Sequence, residues 1–130
     1  MSGTALVTGA TAGIGEATAR RFAAGGWRVI ATGRRGDRLR RLSDELGDAC
    51  LPLEIDMRDT DALAGLAELS GGWGDIDLLV NNAGLAPPMQ PLQDSDLAGL
   101  ETAIQTNITG LVALTRTLLP GLIERRGAII

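Results

Sequence analysis

Apolar positions along the first part of the chain fall into short runs that alternate with stretches of helical spacing. Residues 4–8, 28–32, 51–55 and 76–80 read as strands, and the second of these, Arg28-Val-Ile-Ala-Thr32, is apolar enough for burial on both faces. Between them, residues 14–24, 37–46 and 59–69 read as helices. In the middle one, Leu39, Leu42 and Leu46 stand at i, i+3 and i+7 and form a single apolar stripe. Gly25-Gly26 and Gly47 are stop signals for the first two helices. Acidic residues open the third, as suits a helix N-terminus, although Asp59-x-x-Ala62 is not a capping box. Pro52 marks the third strand as an edge or a strand beginning. A loop, Gly71-Gly-Trp-Gly74, leads into the fourth strand, which ends in Asn81-Asn-Ala-Gly84.

A Pro-rich loop at 86–91 is followed by a long helical segment from about 96 to 126. Gly99 and Gly110 weaken that helix, and Pro120 is expected to end or kink it. Residues 127–130 read as the first half of a fifth strand. No linker, low-complexity stretch or repeat interrupts the alternation. Strands alternating with helices predict the α/β class: a doubly wound, Rossmann-type parallel sheet of about five strands with flanking helices, incomplete because it stops within strand five. A ligand of such a sheet belongs at the carboxyl ends of the strands, near the switch point.

Composition narrows the chemistry. The chain has 130 residues, a length that favours one domain. It contains no His, Tyr or Lys, and all 12 basic residues are Arg. Proton transfer near neutral pH is therefore left to carboxylates and to Cys50, which suits cofactor binding better than acid–base catalysis. The single cysteine excludes an internal disulfide and a cysteine-rich metal site, and it reads as a small hydrophobe entering a strand. No metal site is expected. No apolar run approaches the ~20 residues of a membrane helix, and the start carries no basic region or signal-like core, so the expected setting is the cytoplasm. A net charge of −4 argues against nucleic acid as a partner. The charge is uneven, however, because Arg20, Arg21, Arg28, Arg34, Arg35, Arg38, Arg40 and Arg41 crowd one stretch.

That stretch adjoins the most specific motif of the chain, Thr8-Gly-Ala-Thr-Ala-Gly-Ile-Gly15. A strand that ends in glycines and turns into a helix is a phosphate cradle. Missing Cβ atoms allow a tight turn and a close approach, and the N–H groups and dipole of the helix start face the anion. The spacing is G-x-x-x-G-x-G rather than G-x-G-x-x-G. A basic neighbourhood beside such a cradle suggests an extra phosphate on the ligand.

The glycine motif, Asp56 after strand three, Asn81-Asn-Ala-Gly84 after strand four and Thr106-Asn-Ile-Thr-Gly110 occur in the order of the short-chain dehydrogenases/reductases, and the resemblance spans the whole chain. Thr32-Gly-Arg-Arg35, Asn82-Ala-Gly-Leu-Ala86 and Leu118-Leu-Pro-Gly-Leu-Ile-Glu-Arg125 are most similar to the NADP-dependent 3-hydroxy acid dehydrogenases, serine dehydrogenase-like enzymes among them. The resemblance implies that Gly9, Thr11, Gly13, Ile14 and Gly15 line the pyrophosphate and adenosine ribose. Thr8 would tie the turn to a neighbouring strand. Arg34 and Arg35, just past strand two, would meet a 2′-phosphate and favour NADP over NAD, although Ala12 stands where many NADP-preferring relatives carry a basic residue. Asp56 would accept from the adenine amino group with help from the Met57 backbone. Asn82, Ala83 and Gly84 would pass beneath the cofactor ribose and brace the central strands. Asn107 would kink the long helix and hold a water in a proton relay.

The family also carries a Ser and a Tyr-x-x-x-Lys after strand five, and none of these is present here. Residues 1–130 thus resemble the cofactor-binding N-terminal portion of an enzyme that interconverts a secondary alcohol and a ketone. This portion is expected to be inactive alone and to pair into a homodimer or homotetramer through the long helix. A non-catalytic NADP(H)-binding module is the alternative.

Overall fold

The computed structural model describes residues 2–69 and 72–130. Five parallel strands form one sheet in the order β3-β2-β1-β4-β5: β1 (Thr4–Val7), β2 (Arg28–Gly33), β3 (Cys50–Glu54), β4 (Leu78–Val80) and β5 (Ala128–Ile129). The helices are α1 (Gly13–Ala24), α2 (Gly36–Leu46), α3 (Thr60–Gly65), α4 (Leu97–Ile104) and α5 (Gly110–Arg125). This is the expected doubly wound α/β sheet.

Side chains of the strands alternate between two cores, as a period of two requires. Ala5, Val7, Val29, Ala31, Leu78 and Val80 pack on one face with Ala19 of α1 and with Leu39 and Leu42 of α2. Leu6, Ile30 and Leu79 pack on the other with Leu63 of α3 and with Leu114, Leu118 and Leu122 of α5. Both faces of the central strands are covered, so their residues are apolar almost without interruption.

The chain leaves β1 toward β2 and β3, then returns to place β4 on the other side of β1. The β1–β4 boundary is the switch point. There the residues after β1, Gly9 onward, face the residues after β4, Asn81 to Gly84.

Several boundaries differ from the sequence reading, each for a local reason. The strand expected at 76–80 is regular only from Leu78, because the Asp77 carboxylate accepts from Thr4 N at 2.9 Å while Asp77 N donates to Thr4 O at 2.9 Å. The helix expected at 59–69 is regular only over Thr60–Gly65 and continues as a 3-10 turn over Leu66–Glu68. Asp59 nevertheless caps it, accepting from Ala62 N at 3.0 Å. Pro52 lies on the edge strand β3.

Asp96 caps α4 through Ala98 N and Gly99 N, both at 3.2 Å. From α4 the chain runs through a π turn at Gln105–Thr109 into α5. Pro120 does not end that helix, which reaches Arg125 and stops at Arg126 in the left-handed conformation (φ 53°). The buried Leu118 and Leu122 flank Pro120 and hold its turn on the sheet despite the missing N–H. Of the loop expected at Gly71-Gly-Trp-Gly74, Gly71 lies outside the described residues.

Candidate cofactor site

A cleft of about 280 Å³ opens at the carboxyl ends of β1 to β4. Gly9 and Thr11 line it after β1, Arg34 and Arg35 after β2, and Asp56 and Met57 after β3. Asn82, Ala83 and Gly84 close it after β4. Nine residues proposed from four separate segments thus meet in one place. Gly13, Ile14, Gly15 and Asn107 do not line this cleft.

The glycine turn has the geometry its composition demands. Gly9 takes φ +64°, and a Cβ there would lie 2.9 Å from Ala83 Cα, so only glycine lets β1 and β4 approach this closely. Gly13 takes φ +57° beside open space. Gly15 is buried, and a Cβ on it would overlap the Gly9 carbonyl and the Asn82 amide. No side chain caps α1, whose first N–H groups therefore remain available to an anion. Ile14, in the first turn of α1, is 78% exposed.

Polar contacts brace the turn against β4. Thr8 Oγ1 donates to Val80 O at 3.3 Å and accepts from Ala83 N at 2.9 Å. Asn82 Nδ2 donates to Thr8 O at 3.0 Å and to Gly9 O at 3.2 Å. The amide of Asn107 forms a reciprocal pair with Leu85: Leu85 N donates to Oδ1 at 2.7 Å, and Nδ2 donates to Leu85 O at 2.8 Å. Asn107 stands at the middle of the π turn, so the irregular turn of the long helix and the loop after β4 are fastened by one side chain. Both ends of its amide are engaged there.

The charges are arranged asymmetrically. Arg34 has no hydrogen bond or salt bridge through its guanidinium among the described residues. Arg35 donates from Nε at 3.0 Å and from Nη2 at 2.7 Å to Thr11 Oγ1. The Asp56 carboxylate is gripped by Arg58, through Nη2 at 2.8 Å, Nε at 3.1 Å and the backbone N–H at 2.9 Å. Arg58 holds the Asp56 carboxyl below the usual carboxylate range, against the opposing effect of burial. Cys50, at the start of β3, is buried and far from this chemistry, and burial pushes its thiol up to about 11. Among the described residues no group of three His, Cys, Asp or Glu could hold a metal ion.

Residues 3–130 match the family model for short chain dehydrogenases. The chain belongs to that family. It is 53% identical to serine 3-dehydrogenase of Rhizobium radiobacter, across 100% of this chain and 53% of that protein. It is 52% identical to the NADP-dependent 3-hydroxy acid dehydrogenase YdfG of Salmonella typhi, across 96% of this chain and 51% of that protein. Among solved structures, the closed form of serine dehydrogenase complexed with NADP+ superposes with a TM-score of 0.93 at 51% identity, covering 97% of this chain and 52% of that one. The chain therefore spans about half the length of the curated relatives it matches.

For a short-chain dehydrogenase, two contacts in this half escaped the sequence reading. Arg58 was not singled out, although the Asp56-x-Arg58 spacing brings both side chains to one end of β3. Leu85 was unremarkable as a residue type because its role is played by its backbone.

Proposed function

We propose that this chain is the cofactor-binding half of an NADP-dependent oxidoreductase that interconverts a secondary alcohol, of the 3-hydroxy acid class, and a ketone. One observation carries the reading: the glycine turn leading into the uncapped helix α1, through Gly9, Thr11 and Ala12, and the two arginines just after β2 share one cleft at the switch point. The residues present fit the cofactor. Gly9, Gly13, Ile14 and Gly15 with the first turn of α1 would hold the pyrophosphate, and Arg34 and Arg35 the 2′-phosphate. Asp56 Oδ2 accepts from Arg58 Nη2 at 2.8 Å and more weakly from Nε at 3.3 Å, and the adenine amino group would take the place of the weaker contact. Met57 would help through its backbone, and Asn82, Ala83 and Gly84 would pass beneath the ribose. When bound, the nicotinamide supplies hydride transfer. The Asn107 amide would keep the loop after β4 in place and, with one N–H and one lone pair beyond its pair with Leu85, would hold a water in the proton relay.

The acid–base groups of the family, Ser, Tyr and Lys, would come from sequence beyond these 130 residues, since the chain contains no Tyr or Lys. The same observation keeps a second reading in view, a module that binds NADP(H) without turnover. Intact mass of the native gene product separates the two. A mass near twice 13.5 kDa supports the enzyme, whereas 13.5 kDa leaves only the binding module.

The cofactor assignment has its own test. Replacing Arg34 by Asp and Arg35 by Ala together is expected to weaken NADPH binding by about a hundredfold, the worth of two charge-assisted contacts, and to improve NADH binding. Unchanged relative affinities in a fluorescence titration would remove the NADP assignment.

The proposal includes a homodimer or homotetramer in the cytoplasm. An apolar stripe of Ile104, Ile108, Val112, Leu119 and Ile123, exposed along the long helix, supports the assembly.

A further inference from the structure

Thr11 is only 6% exposed, yet it lines the cleft and offers its hydroxyl oxygen to two N–H groups of Arg35. Its position leaves little freedom. The preceding residue, Ala10, donates its N–H to Thr32 O at 2.9 Å, which ties the glycine turn to the end of β2. On the other side, a Cβ on Gly33 would overlap Thr11 Cγ2, so threonine and glycine are packed against each other. The acceptor is thus fixed, while Arg35 itself is exposed just before α2. A free arginine there would sample many rotamers, and ordering it on a ligand would oppose binding.

The contact uses Nε–H and one Nη2–H of Arg35. A guanidinium has five N–H groups. The second Nη2–H and one Nη1–H form the end-on edge, which has no acceptor among the described residues. This edge can grip two oxygens of one phosphate group. The carboxylate lining the same cleft does not compete for it, because Arg58 holds Asp56.

We propose that Thr11 is a positioning residue for nucleotide selectivity: its hydroxyl holds Arg35 with the end-on edge free to receive the 2′-phosphate. Discrimination between NADP(H) and NAD(H) then depends on a residue of the glycine turn as well as on the arginines after β2. This rests on the NADP reading above and adds the residue that orients one arginine.

The test is a double-mutant cycle in the native gene product. Wild type, Thr11→Val, Thr11→Ser, Arg35→Ala and the Thr11→Val/Arg35→Ala double variant are titrated with NADPH and with NADH, with far-UV circular dichroism as the check on folding. Thr11→Val is expected to weaken NADPH by about tenfold and NADH by no more than about twofold. Thr11→Ser, which keeps the oxygen, should restore NADPH affinity. In the Arg35→Ala background, Thr11→Val should change NADPH affinity no further. Thr11→Ala takes the place of the valine in the cycle should valine crowd Gly33.

Equal losses for both nucleotides would overturn the proposal, as would NADPH binding that is unchanged or tighter, the latter marking the contact as a latch that the phosphate must break. A further loss in the Arg35→Ala background would show Thr11 acting on the nucleotide directly and would also overturn it. A wild type without preference for NADPH brings down the NADP reading itself, whereas a preference that Thr11→Val leaves undiminished brings down this inference alone.

Discussion

Gly13 and Gly15 stand two residues apart in the same motif, yet they are glycine for different reasons. Gly13 needs a left-handed backbone and has open space around it, whereas Gly15 sits against the Gly9 carbonyl and the Asn82 amide. Gly13→Ala is therefore expected to cost about 1–2 kcal/mol of backbone strain and little else. Gly15→Ala forces one backbone away from another and is expected to cost about 1–3 kcal/mol and to weaken nucleotide binding more than Gly13→Ala does. Chemical denaturation with nucleotide titration of both variants checks the order; a milder Gly15→Ala would contradict it. Asp56 gives a pH-dependent signature. Its pKa is lower in the folded chain than in the unfolded one, chiefly because of Arg58. The stability it contributes is fully present above the unfolded value of about 3.9 and is lost as pH falls through the folded value. Asp56→Asn should consequently lose less stability than the wild type as the pH falls below about 4, measured by thermal melts. Parallel losses would mean that the Arg58 contact is not maintained in solution.

The long helix illustrates how one side chain shapes an element. Asparagine is unfavourable in the middle of a regular helix, and Asn107 occupies the centre of the π turn that joins α4 to α5. The turn places its amide opposite the backbone of Leu85, where it makes two bonds of strand-like polarity. Asn107→Ala would leave the Leu85 N–H and C=O unpaired in a partly buried place, an expected loss of about 1–3 kcal/mol. Hydrogen exchange should accelerate at Leu85 in that variant while the amides of β1 stay protected; no change at Leu85 would show that water replaces the amide at little cost. The residue type pointed to an irregularity here, and the sequence reading expected one. Neither its form, a π turn, nor its partner was legible, because a backbone partner leaves no mark in the residue type. Pro120 shows the opposite case. Of the two outcomes its local rule allows, an end or a kink, the end does not occur: Leu118 and Leu122 bury themselves on either side and α5 continues through it to Arg125.

Across the molecule, the same helix buries Leu114, Leu118 and Leu122 on the sheet and leaves Ile104, Ile108, Val112, Leu119 and Ile123 exposed. A helix apolar on two sides has a partner for only one of them among the described residues. If the chain assembles through this face as proposed, replacing Ile108 and Val112 by Glu is expected to raise the subunit dissociation constant by about a hundredfold while leaving far-UV circular dichroism unchanged. Sedimentation of the native gene product measures this, and an unaltered assembly would place the interface elsewhere. The sheet order explains why the cleft lies where it does. Crossing from β3 back to β4 on the far side of β1 opens a gap between neighbouring strand ends, and the residues after β1 and β4 meet across it.

Strand and helix identities, the α/β class and the glycine turn after β1 were all determined by local sequence. Hydrophobic periodicity and glycine stereochemistry act over a few residues and need no knowledge of the rest of the chain. Only the tertiary structure decided which arginine is already oriented and which is free, that Asp56 is held by Arg58, and that Asn107 fastens Leu85. Those choices depend on distances between segments far apart in sequence, set by how the two cores pack against one sheet.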